Sequence, residues 1–161
     1  MSLGPGLEPP HQLAERELLL AYLQRQRELV LWKCEGLADD AARAVSTPTG
    51  LTVHTLVRHL AGVERGWLLE GFAGEPAVRV RDEEFVDRGE SLADLLAAFR
   101  EQIRRSDEVI AAHALDEVGV VRDHSLRWMV LHLIEETSRH LGHLDLLCEL
   151  ADGRTGEGPR R

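Results

Sequence analysis

The chain has 161 residues, 43% hydrophobic and 29% charged, which suits one globular domain whose core needs no disulfide staple. A formal charge of −9 and only 4% aromatic residues exclude the concentrated Lys/Arg face and stacking rings of a nucleic-acid binder. The N-terminus lacks a basic-then-apolar signal peptide, and the longest apolar run, residues 18–23, is far too short to span a membrane, so the cytoplasm is the expected compartment.

Residues 1–10 hold three prolines and two glycines and predict a loose leader. Residues 11–35 read as a long helix, with Leu13, Leu20, Leu23, Val30, Leu31 and Cys34 on its buried side and Gly36 as its stop. Residues 39–43 form at most one short turn before a Ser/Thr/Pro/Gly linker at 46–50. Thr52 caps a second helix running to about residue 70, with Val53, Leu56, Leu60, Val63 and Trp67 at helical spacing.

Residues 71–90 make a long connection, a candidate lid or partner surface. Ser91 caps a third helix with Leu92, Leu95, Leu96, Phe99, Ile103 and Ile110 inward. Ser125 caps a fourth helix, closed by Gly153 ahead of a frayed tail at 153–161. Four amphipathic helices over residues 11–152 predict an all-α four-helix bundle, and the uneven links leave room for an order other than up-down-up-down. Cys34 and Cys148 end apolar stripes and form no CxxC; buried free thiols are the expectation.

Chemistry concentrates on the fourth helix. Leu126, Met129, Val130, Leu133, Thr137, Leu144 and Leu147 line one face, and Glu136 and His140 fall inside it, one turn apart. A carboxylate and an imidazole aimed into an apolar interior are costly unless satisfied. A divalent metal would satisfy both; a hydrogen-bonded pair, held by an arginine, is the plainer alternative. His59, three beyond Leu56 and four before Val63, also points inward from the second helix and supplies a third ligand. His132 and His143 lie near the same face, and either could replace a ligand; His132 could instead orient Glu136. His54 is expected on a polar flank, and His11, His113 and His124 in solvated ends, with His124 able to approach a cavity mouth. Arg58, Arg65, Arg127 and Arg139 are expected to be solvated rather than to clamp an anion, and Glu64 and Glu135 neighbour the ligands without a clear claim as bases.

The run Leu56, Val57, Arg58, His59, Leu60, Ala61, Gly62, Val63, Glu64, Arg65, Gly66, Trp67 resembles the second-helix signature of the DinB/YfiT-like superfamily. Leu126, Arg127 and Trp128, followed by His132, Glu136, His140, His143 and Asp145, are similar to the fourth-helix signature of its actinobacterial branch. The resemblance covers residues 12–152 and implies a crossed, up-down-down-up bundle holding a divalent metal on three side chains. Here those would be His59, Glu136 and His140, an arrangement similar to that of mycothiol-dependent maleylpyruvate isomerases. Nothing matching the C-terminal domain of those enzymes follows the fourth helix, so isomerase activity is not expected.

Two imidazoles and one carboxylate would leave zinc, or nickel or iron, an open coordination position. The resemblance therefore implies transfer of a low-molecular-weight thiol of the mycothiol type to a small electrophile, or hydrolysis of it. The alternative is a non-catalytic, stress-associated metal-binding bundle that works through a protein partner. A homodimer is left open by the family and by the surplus of apolar positions.

Overall fold

The computed structural model describes residues 8–156. Among them, the helices are α1 (Glu15–Cys34), α2 (Asp39–Ala44), α3 (Val53–Glu64), α4 (Leu92–Ala112) and α5 (Leu126–Asp152), with no strand beyond a single bridge between Val118 and Ser125. A π-helical segment, Arg65–Phe72, continues α3 without a break, and a 3₁₀ turn, Arg81–Phe85, interrupts the link to α4. No helix among the described residues is long and apolar enough to cross a membrane.

The helix ends follow local chemistry. Thr52, Ser91 and Ser125 accept from the backbone N–H groups of Thr55, Asp94 and Trp128, at 3.2, 3.1 and 3.3 Å. Each such cap stabilises its helix by about 1 kcal/mol. Gly153 ends α5 in the left-handed region, φ 78°, where a side chain would be strained. The first helix begins at Glu15, four residues later than the periodicity suggests, and His11 sits in a turn. The expected leader and tail lie largely outside the described residues; 8–10 and 153–156 are not helical.

Contacts between helices fix their directions. Arg127 pairs with Glu15 and Lys33 with Asp145 (2.9 and 2.5 Å), start to start and end toward end, so α1 and α5 run parallel. Arg16 donates to the carbonyls of Ile110 and His113, and Arg27 reaches Asp107, so α4 opposes α1. His59 meets Glu136 while Trp67 meets Trp128, so α3 opposes α5. The order is up-down-down-up. Because α3 and α4 run the same way, the chain between them must return the length of the bundle, which is why that connection is long.

The apolar interior divides into two clusters. One gathers Val30, Leu56, Leu60, Phe99, Leu141 and Leu144; the other gathers Leu23, Val63, Leu68, Phe72, Met129 and Leu133. A polar layer falls at the level between them, built from Arg27, His59, Glu64, Glu136, Thr137 and His140. Arg27 is fully buried and grips Glu64 in two parallel bonds of 2.6 and 2.7 Å, with Asp107 at 2.7 Å. Burial works against that charge, but Glu64 and Asp107 outweigh it and hold the guanidinium ionised. His54 corrects the sequence reading: it is buried, not on a polar flank, with its Nε2 3.1 Å from Asp39, which also accepts from Leu92 N–H at the start of α4.

Candidate metal centre

His59, Glu136 and His140 converge in the polar layer. The apolar stripe of α3 turns His59 inward, and on α5 Glu136 and His140 stand one turn apart on the face opposite. Glu136 Oε1 lies 3.3 Å from His59 Nε2 and 3.3 Å from His140 Nε2, and one ligand atom from each residue lies within 4.8 Å of the others. A tetrahedral zinc site with bonds of about 2.0–2.1 Å has donor–donor edges of about 3.3–3.4 Å. The side chains of Glu136 and His140 are 15% and 11% exposed and that of His59 only 2%, so one side of the site faces solvent.

The other ring nitrogens decide what converges there. His59 Nδ1 donates to Glu84 Oε2 at 2.8 Å, and Glu84 is held by Arg79 through bonds of 2.6 and 3.0 Å. Burial pushes the Glu84 carboxyl up, but bonding to His59 and Arg79 outweighs it, so it stays a carboxylate that accepts from Nδ1–H. With Nδ1 committed to Glu84, Nε2 is the ring nitrogen that faces Glu136. His140 Nδ1 lies 3.4 Å from His143 Nδ1, which satisfies that nitrogen and leaves Nε2 facing the same carboxylate oxygen.

Burial, and then the neighbouring His59, lower the His140 pKa against the pull of Glu136. Burial raises the Glu136 pKa, but the bond from His59 and the charge of His140 bring it below the usual carboxylate range. Two imidazoles and one carboxylate thus face one point, joined by hydrogen bonds whose protons a divalent cation would displace. That donor set fits a divalent cation.

The Glu84 arm was not visible in the sequence. It comes from the 71–90 connection, which packs against α3 rather than standing free as a lid. Glu70, in the π segment, accepts from Val78 N–H and Arg79 N–H at 2.9 and 3.0 Å and so places Arg79. Gly62 and Gly66 make the room: a Cβ on Gly62 would fall 1.9 Å from Glu84 Oε1, and one on Gly66 2.7 Å from the Arg79 side chain. The second helix expected from periodicity is instead widened at 65–72, a stretch that begins between Gly62, which receives Glu84, and Gly66, which receives Arg79.

The remaining candidates fall elsewhere. His132 does not join the donors; its ring stacks on Trp128, with planes 10° apart, and packs against Trp67. His124, expected in solvent, is half-buried against Trp67 and Trp128. His113 bonds Glu117 at 2.8 Å. Glu64 is committed to Arg27, and Glu135 is exposed beside Arg139. Arg58, Arg65, Arg127 and Arg139 are tied to Glu90, Glu70, Glu15 and Glu135, so none of the four is a free anion clamp.

A crossed bundle whose two central, antiparallel helices bring three N/O donors to one partly open point defines a DinB/YfiT-like helical protein with a candidate metal site. Within that class the chain belongs to the mycothiol-S-transferase family, which it matches over residues 18–153, from α1 to the end of α5. No curated protein matches the chain.

Proposed function

We propose that the protein is a divalent-metal-dependent transferase that joins a low-molecular-weight thiol of the mycothiol type to a small electrophile in the cytoplasm. Its metal ligands are His59, Glu136 and His140. The observation that carries this reading is the convergence of three donors on a point left open on one side, the pattern of catalytic rather than structural sites. A cation held there makes a thiol or water that reaches its open side more acidic, to a water pKa of about 7 in favourable zinc sites. Glu84 fixes the tautomer and ring plane of His59, and Glu136 contributes the one negative charge among the three donors. Zinc suits this set best; nickel and iron share a preference for such ligands. Family membership favours a thiol over water as the attacking group.

The test is a thiol panel containing mycothiol, bacillithiol and glutathione, assayed with a bimane electrophile. Consumption of the electrophile is expected to exceed the uncatalysed rate with one thiol, to fall to that rate with chelator and to rise again with zinc. Consumption at the uncatalysed rate by metal-loaded protein with every thiol would overturn the reading.

A further inference from the structure

One level above the three donors, toward the start of α5, lies a second constellation. His132 is one turn before Glu136 on α5, and Trp67 is two turns beyond His59 on the opposing helix. A turn rises about 5.4 Å, so these rings lie one to two turns along the two helices from the donors. Trp67 and His132 have centroids 4.4 Å apart, Trp128 and His132 5.1 Å, and His124 and Trp128 4.2 Å. Trp128 keeps 42% of its surface in solvent. His124 Nδ1 is shielded from solvent and has no hydrogen-bond partner.

Arg122 completes the group. Its guanidinium carbon lies 4.2 Å from the centroid of the Trp67 ring. Among the described residues no carboxylate pairs with it, although the chain has 28 acidic side chains for 19 basic ones. Arg58, Arg65, Arg79, Arg88, Arg105 and Arg127 all have acidic partners.

The fold builds this placement. The 119–122 loop docks on the π segment through Val120 N–H to Phe72 O, and Val121 N–H and Arg122 N–H to Gly71 O, at 2.8, 3.1 and 3.0 Å. A Cβ on Gly71 would come within 2.7 Å of Arg122 Cδ, and one on Gly119 within 2.9 Å of Arg122 O. Two glycines thus let the loop close and lay Arg122 over the indole. Burial lowers the His132 pKa against the pull of Glu136 and Glu135, and the guanidinium of Arg122 is the cation laid over the Trp67 ring.

We propose that Trp67, Trp128, His132 and Arg122 seat the electrophilic substrate, a flat aromatic or conjugated molecule bearing a carboxylate, its ring against the indoles and its anionic end on Arg122. The proposal rests on the S-transfer reading for the word substrate, but the seat itself binds without any reaction. Flat rings meet indole faces in offset or edge-on contacts, and arginine recognises carboxylates through two parallel hydrogen bonds.

Equilibrium dialysis of the full chain with trans-cinnamate and its uncharged amide tests this, using protein as purified and after chelator treatment. The wild type is expected to bind cinnamate at least tenfold more tightly than cinnamamide, in both preparations. Arg122→Gln is expected to abolish that ratio, Trp128→Ala to weaken both probes severalfold, and His59→Ala, with one donor removed, to keep the ratio. A ratio that survives Arg122→Gln, or one that vanishes with chelator or in His59→Ala, would overturn the proposal, since the carboxylate would then sit at the metal. Absence of cinnamate binding would also overturn it. A persistent ratio in protein that takes up no metal would uphold the seat while removing the S-transfer reading.

Discussion

Glu84 Oε2 lies 2.8 Å from Nδ1 of His59, across 25 positions of sequence, and Arg79 grips both oxygens of the same carboxylate. Through this contact a connection without regular periodicity sets the direction in which the buried His59 Nε2 points. Glu84→Gln, which removes the charge that draws the Nδ1 proton, is expected to weaken zinc affinity by about 10–100-fold, read by competition with a chromophoric chelator. Gly62→Ala sharpens the test, because its Cβ would displace the Glu84 carboxylate while the helix gains about 1 kcal/mol of propensity. Lower affinity with unchanged or higher stability is expected; unchanged affinity in both variants would deny Glu84 its positioning role.

The Arg27–Glu64 pair is expected to matter for stability and not for the site. Arg27→Met strands Glu64 in a layer where it is only 2% exposed, and should cost about 3–5 kcal/mol in urea unfolding. The double variant Arg27→Met/Glu64→Leu should recover most of that loss, since two apolar side chains leave no buried charge unpaired. Equal losses in the single and double variants would contradict this.

Acid should loosen the 71–90 connection through Glu70. Burial raises the Glu70 pKa, but bonds from Val78 N–H and Arg79 N–H and from Arg65 outweigh it, so the folded value lies below the usual one. The sign follows: this stabilisation is fully present above the unfolded carboxyl pKa of about 4.3 and is lost as pH falls through the lower folded value. Glu70→Gln should therefore be less stable than wild type at pH 7, by about 1–2 kcal/mol. The gap between the two should narrow below about pH 4. A gap independent of pH in thermal unfolding would contradict the assignment.

The two cysteines are expected to be inert in the native state. Cys34 and Cys148 are free and 1% and 0% exposed, and Cys148 donates to Lys33 O at 3.6 Å; the neighbouring Cys148 thiol first, and burial second, push the Cys34 thiol well up. A maleimide should label neither thiol in folded protein at pH 7 and both in urea. Rapid labelling of the folded chain would reopen a nucleophilic role for one of them.

The helices and their inward faces were legible because a 3.6-residue rhythm is written locally, as are the caps Thr52, Ser91, Ser125 and Gly153. The convergence of His59, Glu136 and His140 was legible for the same reason: each interrupts an apolar stripe, and two stripes facing one core must bring their interruptions together. Glu84 was not, because it lies in a segment without rhythm and its partner is 25 residues away. The burial of His54 was hidden likewise, since Asp39, which receives it, precedes the linker. Arg122 lies in a return loop, and only the docking of that loop on Gly71 reveals that its cation has no carboxylate beside it.

The central claim is that His59, Glu136 and His140 hold one cation. Its most direct test is metal content by mass spectrometry, after zinc loading and desalting, for wild type and His59→Ala, with helical content followed by circular dichroism. A stoichiometric metal in the wild type, lost in the variant with helicity unchanged, is the predicted result. A wild type that retains no metal and matches the variant in stability would contradict the claim and leave a hydrogen-bonded polar layer in its place.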